Sequence, residues 1–219
     1  MNRKYKILIL ILLFLPSCAS NNIYSEIFTI FKNLSQGPDD LTQSEISLVP
    51  FASMQLRLGK NPNTLVVLEE DRDGVLKWTT SNNIKIYTLN GYIVRFTGID
   101  NSLDKIELDK NHPATTSDFS NLENIVFTSY YSFRDPNLFD LPIKTSISET
   151  RKEKIFISGE NLDCIVYEEK ALENLISWSF VNKLWVNISN GKIVKASQHI
   201  TPKNPNISFK ITKNYKKPD

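Results

Sequence analysis

Glycine is scarce in this chain, with seven residues in 219, and cysteine and histidine number only two each. Seven glycines leave little material for a loop whose amides wrap a phosphate, and no such motif is present. His112 and His199 have no second histidine or cysteine at zinc-ligand spacing, so neither a metal nor a cofactor is expected. Two cysteines cannot build a disulfide framework, which leaves packing as the source of stability. Cys164 lies between Leu162 and Val166 on an alternating pattern and reads as a small buried core residue. A Gly-x-Ser-x-Gly nucleophile elbow is also missing. There is no internal repeat, low-complexity tract or linker. Long apolar runs are lacking as well: Ile7 to Leu15 is about nine residues, far short of the roughly 20 that span a bilayer as a helix.

That short run is informative for its flanks. Arg3, Lys4 and Lys6 precede it, and Leu15-Pro16-Ser17-Cys18 closes it. A charged start, an apolar stretch and a small residue make a secretory signal, and the cysteine makes the end resemble a bacterial lipobox. Residues 1–17 are then a lipoprotein signal peptide, and Cys18 is the lipid attachment site and first mature residue. An ordinary cut near Ser20, discarding Cys18, is the other reading. Without the three basic signal residues the chain carries 23 basic against 24 acidic side chains, about −1. A near-neutral protein gives no reason to expect nucleic acid as partner.

Residues 18–40 form the lipidated N-terminus and a short helical tether. Ile23, Ile27, Ile30, Phe31 and Leu34 recur at helical spacing, on a segment that docks on the domain or lies on a membrane surface, docking being favoured. Gly37-Pro38 breaks it. Residues 41–219 are of single-domain length. With 41% apolar and 11% aromatic residues overall, the chain can bury a proper core. Thr42-Gln43-Ser44-Glu45 has the form of a capping box, so one short helix should follow, stopped by Pro50.

Beyond Pro50 the chain reads as strands. Thr64–Glu69 and Val75–Thr79 flank an Asp-Gly turn; Ile84–Tyr87 and Tyr92–Phe96 flank Asn90-Gly91; Leu184–Ile188 and Ile193–Ile200 flank Asn190-Gly191. Such dipeptides supply the two positive φ angles of a type I′ hairpin. Further strands are expected at Ile125–Tyr131, Lys154–Ser158, Leu162–Glu168 and Ile207–Ile211. A loop is expected at Asp135–Pro142 and a helical turn at Glu168–Asn174. The expected fold is mainly β: a large antiparallel meander curled into a half-barrel or barrel-like sheet, with short N-terminal helices.

Chemistry is thin. Glu69, Glu70, Asp71 and Asp73 fail the calcium-loop spacing and read as a solvated hairpin tip. Trp78, Trp178, Trp185, Tyr87, Tyr92, Tyr130 and Tyr131 could stack on sugar rings, but aromatics on strands more often pack. Lys213, Lys216 and Lys217 could meet anionic headgroups or stay solvated. No catalytic residue is expected.

Several segments in one order resemble the YjbF/GfcB-type lipoproteins. They are Leu41-Thr42 through Ile46, Pro50 to Met54, Leu65 to Leu68, Lys77-Trp78, and Asn90 to Leu103, followed by Trp178, Leu184 to Val186, Gly191 to Gln198, and Pro202. Tyr92 stands where that family carries a basic residue. The resemblance implies a non-enzymatic lipoprotein of capsule or exopolysaccharide export, with a large antiparallel sheet curled on itself. Ala19, in place of the aspartate that retains lipoproteins at the inner membrane, implies anchoring at the periplasmic face of the outer membrane. Partners would be that membrane, export proteins or the glycan, met by surface positions such as Arg57, Arg95 and Gln198. The alternative is a carrier for a lipid or other hydrophobic ligand, which needs an open apolar cavity of a few hundred cubic ångströms, on the scale of ordinary ligand pockets. An enzyme acting on glycan would need two facing carboxylates about 5 to 9 Å apart.

Overall fold

The structure, a computed structural model, describes residues 41–216 apart from 118 and 120. Cys18, the signal segment and the amphipathic stretch at 22–34 lie outside the described residues. One helix, α1 (Gln43–Leu48), precedes twelve strands: β1 (Ser53–Leu58), β2 (Thr64–Arg72), β3 (Val75–Thr79), β4 (Lys85–Leu89), β5 (Tyr92–Thr97), β6 (Leu103–Glu107), β7 (Val126–Phe133), β8 (Leu138–Ile157), β9 (Glu160–Glu173), β10 (Trp178–Asn187), β11 (Lys192–Gln198) and β12 (Ile207–Lys213).

Each strand pairs antiparallel with its sequence neighbours, and β12 pairs with β1, so the sheet is a closed barrel rather than a half-barrel. Closure removes the two open edges that a twelve-strand meander would otherwise expose. The chain enters and leaves at one end, here the proximal end, with the β2–β3, β4–β5 and β8–β9 turns. The β1–β2, β7–β8 and β9–β10 turns mark the distal end.

The turns follow their chemistry. Arg72 faces Val75 across Asp73 (φ 53°) and Gly74 (φ 84°), and Leu89 faces Tyr92 across Asn90 (φ 49°) and Gly91 (φ 89°). Both are two-residue loops with paired positive φ. A Cβ on Gly91 would stand 2.7 Å from Ile193 Cβ, so glycine is needed there twice over. The second Asn-Gly, at 190–191, behaves differently. Asn187 faces Lys192, which makes a four-residue loop in which Gly191 alone has positive φ.

Alternation sends Met54, Leu56, Val66, Trp78, Ile86, Phe96, Leu184 and Ile207 inward and charged residues outward. A membrane-spanning barrel shows the opposite pattern, apolar outside and polar within. Eight strands enclose a space that side chains alone can fill, and twelve enclose more. The excess is taken up by the connection at 108–125, which plugs the proximal end with Ala114, Phe119 and Leu122. Asn90 Nδ2 donates to the Ala114 carbonyl at 2.8 Å and the Phe119 amide to that of Gly191, so two turns hold the plug. Tyr131, Phe133, Trp178 and Phe180 close the distal end with ring centroids 4.3–6.3 Å apart.

Two expectations are corrected in the middle of the chain. Glu168–Asn174 is not a helical turn, because residues up to Glu173 continue β9 between β8 and β10. Most of Asp135–Pro142 is strand rather than loop. β8 begins at Leu138, and Pro142 sits in it opposite Tyr130 with its ring exposed. β8 is also far longer than expected. After a bulge between Glu149 and Arg151 its second half pairs only with β9, and this arm lies on the outside of the barrel. Ile155, Ile157 and Leu162 pack there on Cys164, Val166, Trp185 and Val194, forming a second, smaller core. The Ser158 hydroxyl donates to the Thr212 carbonyl and fastens the tip to β12.

The capping box is present. Glu45 Oε2 accepts from the Thr42 amide at 2.7 Å, and the Glu45 amide donates to Thr42 Oγ1 at 3.3 Å. Lys213 is engaged with the protein, its Nζ donating to the Val49 carbonyl at 2.8 Å.

Candidate functional site

The densest chemistry lies inside the barrel. Because Tyr167, Glu169 and Ala171 face inward on β9, Glu169 is carried into the core, where it is 2% exposed. Tyr92 Oη, on β5, donates to Glu169 Oε1 at 2.5 Å, and Asn182 Nδ2, on β10, donates to Oε2 at 3.0 Å. Asn182 Oδ1 accepts the His199 amide at 2.8 Å. At the β4–β5 bulge the Ile93 amide reaches across to Gln198 Oε1 at 2.9 Å. His112 comes from the plug, its Nδ1 accepting from the Ala114 amide at 3.0 Å and its ring edge-on to Tyr92 at 4.6 Å.

Burial governs the titration of this cluster. Desolvation pushes the Glu169 carboxyl up against the pull of its two hydrogen bonds, and raises the Tyr92 and Tyr131 phenols. The same cause lowers His112 to about 4 and also lowers His199. His112 is therefore a neutral acceptor at ordinary pH. His199 Nδ1 and Ser129 Oγ are buried with no hydrogen-bond partner among the described residues.

The arrangement is a compact hydrogen-bonded cluster with little space beside it. Among the described residues Glu169 has no second carboxylate beside it, and the free space among Tyr92, His112, Glu169, Asn182 and His199 is about 10 Å³, near the minimum for one water. A larger cleft, about 220 Å³, lies outside the barrel between α1, the arm tip and β12. Its lining is mixed, with Thr42, Gln43, Gln55, Ser158, Lys210 and Thr212 beside the apolar Leu41, Ile46 and Phe156.

The positions singled out in the sequence fall apart in space. Gln198 is not a surface residue; it is 3% exposed and cross-braces the interior. Arg57 Nε donates to Asn63 Oδ1 at 3.0 Å across the β1–β2 turn. Arg95 lies over the Tyr87 ring and shares Asp104 with Arg134. The three tryptophans are buried: Trp78 donates to Thr88 Oγ1 at 2.8 Å, Trp178 belongs to the distal aromatic cluster, and Trp185 lies under the arm with Lys195 Nζ 4.2 Å from its ring. Tyr130 stays exposed. The acidic hairpin tip is internally paired, Glu69 with Lys77, Glu70 with Arg72, and Asp71 with the Gly74 amide. Cys164 is buried as expected, and burial pushes its thiol up to about 11. Glu169 and Asn182 went unnoticed in the sequence. The signal that could have found Glu169 is a charged residue on the inward phase of an alternating strand.

Known proteins align along most of this chain. It is 24% identical over 198 residues to the uncharacterized lipoprotein GfcB of Escherichia coli K12, covering 88% of this chain and 90% of that protein. It is also 24% identical over 204 residues to the uncharacterized lipoprotein YjbF of the same organism, with the same coverage. The crystal structure of the hypothetical lipoprotein YmcC from Escherichia coli K12 has the same fold, with a TM-score of 0.75 over 88% of this chain and 95% of that one, at 18% identity. Residues 24–211 match the model of the group 4 capsule polysaccharide lipoproteins gfcB and YjbF, and the chain belongs to that family.

Proposed function

We propose that the protein is a non-enzymatic accessory of capsule or exopolysaccharide assembly and export, held through a lipid on Cys18 at the periplasmic face of the outer membrane. Membership in a family of group 4 capsule lipoproteins supports the process. The observation that carries the mode of action is the filled interior. A lipid carrier needs a cavity of a few hundred cubic ångströms. This barrel has about 10 Å³ free at its polar centre, and both of its ends are closed by packed side chains. The outer cleft beside α1 has a mixed polar and apolar lining, and its volume, about 220 Å³, is enough for only part of a lipid. Work is therefore done on the outer surface, by contact with an export protein, the glycan or the membrane.

The test is made in the cell that produces the polysaccharide. Wild type and Cys18→Ala are expressed with alkynyl palmitate, the membranes are fractionated, and surface polysaccharide is measured in a strain lacking the native gene. The expected result is label in the outer membrane that Cys18→Ala removes, together with loss of surface polysaccharide. Full export from an unlabelled, soluble protein would overturn the anchored-accessory reading.

A further inference from the structure

We propose that the outer face of β7–β10, at the distal end of the barrel, is a docking surface for an anionic phospholipid bilayer. Six large apolar side chains are exposed on these four consecutive strands and their turns: Tyr130, Phe139, Leu172, Leu175, Ile176 and Val181. The β9–β10 turn carries the most prominent of them, Leu175, at 78% exposure, and Phe139 beside the neighbouring β7–β8 turn reaches 67%. Leu48, Phe51, Val126, Phe156 and Ile188 are exposed at the proximal end and on the arm, so the six distal side chains are the larger group, and such a gathering marks an interaction site.

The charges within it specify the partner. Pairing sets Lys144 opposite Leu172, and Lys170 opposite Ser146 and Val181, so the two lysines are diagonal neighbours on adjacent strands. Both are exposed and neither forms an ion pair among the described residues. Lys183 nearby is committed to Glu168 at 3.0 Å. The nearby acids do not ion-pair with them: Asp140 is exposed and bonded to Ser132, and Glu173 is buried, receiving the Leu175 and Ile176 amides. Two adjacent ammonium groups with no ion-pair partner among the described residues, set among apolar side chains, match a layer of phosphates above acyl chains.

Shape favours lipid over protein. The apolar groups stand out on strand crowns and a hairpin tip, and both cavities described above lie elsewhere on the molecule. A convex surface offers no pocket for an anchor residue, whereas a fluid bilayer conforms to it. The tether permits the contact. If Cys18 is lipidated, which rests on the function proposed above, 22 residues separate it from Leu41. Extended, they reach roughly 70 Å, more than enough to bring any side of a barrel this size to the bilayer.

The test uses the chain from Ala19 to Asp219, which has neither signal nor lipid site, floated with vesicles of phosphatidylethanolamine and phosphatidylglycerol or of phosphatidylcholine alone. Binding to the anionic vesicles is expected, weakened by salt. Leu175→Asp with Ile176→Asp should reduce it at least about tenfold, and Lys144→Glu with Lys170→Glu should abolish the preference for anionic lipid. Both pairs are exposed, and unchanged thermal unfolding verifies that the variants fold. Failure to float, or flotation that ignores both variants, overturns the proposal. So does a dimer that the Asp variants dissociate, because the face would then be covered by a second copy. Because this chain has no Cys18, the result is independent of the palmitate experiment.

Discussion

Two cores of the barrel, its interior and the layer beneath the β8–β9 arm, are built on different rules. The interior holds the bulk of the large apolar side chains, yet it admits a carboxyl bonded across it to a phenol and an amide from β5 and β10, and a plug histidine that stacks edge-on against that phenol. The outer layer beneath the β8–β9 arm is thin and apolar, made of Ile155, Ile157, Leu162, Cys164, Val166, Trp185 and Val194. The first is closed on all sides and cannot relax; the second is a flap on a wall. A polar network fits the closed space because its geometry is held from several strands at once, whereas the flap needs only apolar area.

The largest effect expected from this difference is on truncation. Phe96→Ala, deep in the interior, should cost about 3–5 kcal/mol in denaturant unfolding. Ile155→Ala on the arm should cost about 2 kcal/mol, because the flap can settle into the gap. Equal costs would mean that the arm is as rigid as the barrel.

The interior also contains two titrating groups of opposite sign. His112 is lowered to about 4 by burial, so its contribution is complete above the unfolded pKa and is lost as pH falls from about 6.5 toward 4. That loss is at most about 3 kcal/mol. His112→Asn, which can still accept from the Ala114 amide, should flatten this part of the stability profile. Glu169 is raised by burial, so its contribution is present at acid pH and is lost as pH rises through the folded value. Glu169→Gln should therefore compare more favourably with wild type at pH 7 than at pH 4 in thermal melts. A constant difference would mean that Glu169 does not titrate in the folded range.

Smaller effects probe the flap and the helix. The Cys164 thiol, buried and pushed up to about 11, should resist a maleimide in the native protein and react on unfolding. Rapid native labelling would show the arm opening. Thr42→Ala removes the cap of α1 and should cost about 1 kcal/mol.

The hairpins were legible where local chemistry suffices: Asp73-Gly74 and Asn90-Gly91 impose paired positive φ whatever surrounds them. Asn190-Gly191 marked a turn but not its length, because the pairing of Asn187 with Lys192 depends on the strands. β1, β6 and most of β8 were not recognised. In β8 the run Thr145 to Lys154 is largely polar, since its outward residues meet solvent and its bulge interrupts the alternation. The interior cluster was missed for a related reason: Glu168–Asn174, read as a helical turn, takes strand geometry only through its partners on either side.

By itself the sequence determined the β class, the tight turns, the helix cap, the burial of Cys164 and the family, each from residues near one another in the chain or from their order along it. Tertiary structure alone decided the closure of β12 on β1, the plug, the folding of the arm and the placing of Glu169 beside Tyr92 and Asn182. These join residues up to about 160 positions apart, as Ser53 and Lys213 are. Such pairings are selected by the removal of edges and the filling of a common interior, which no local window of residues encodes.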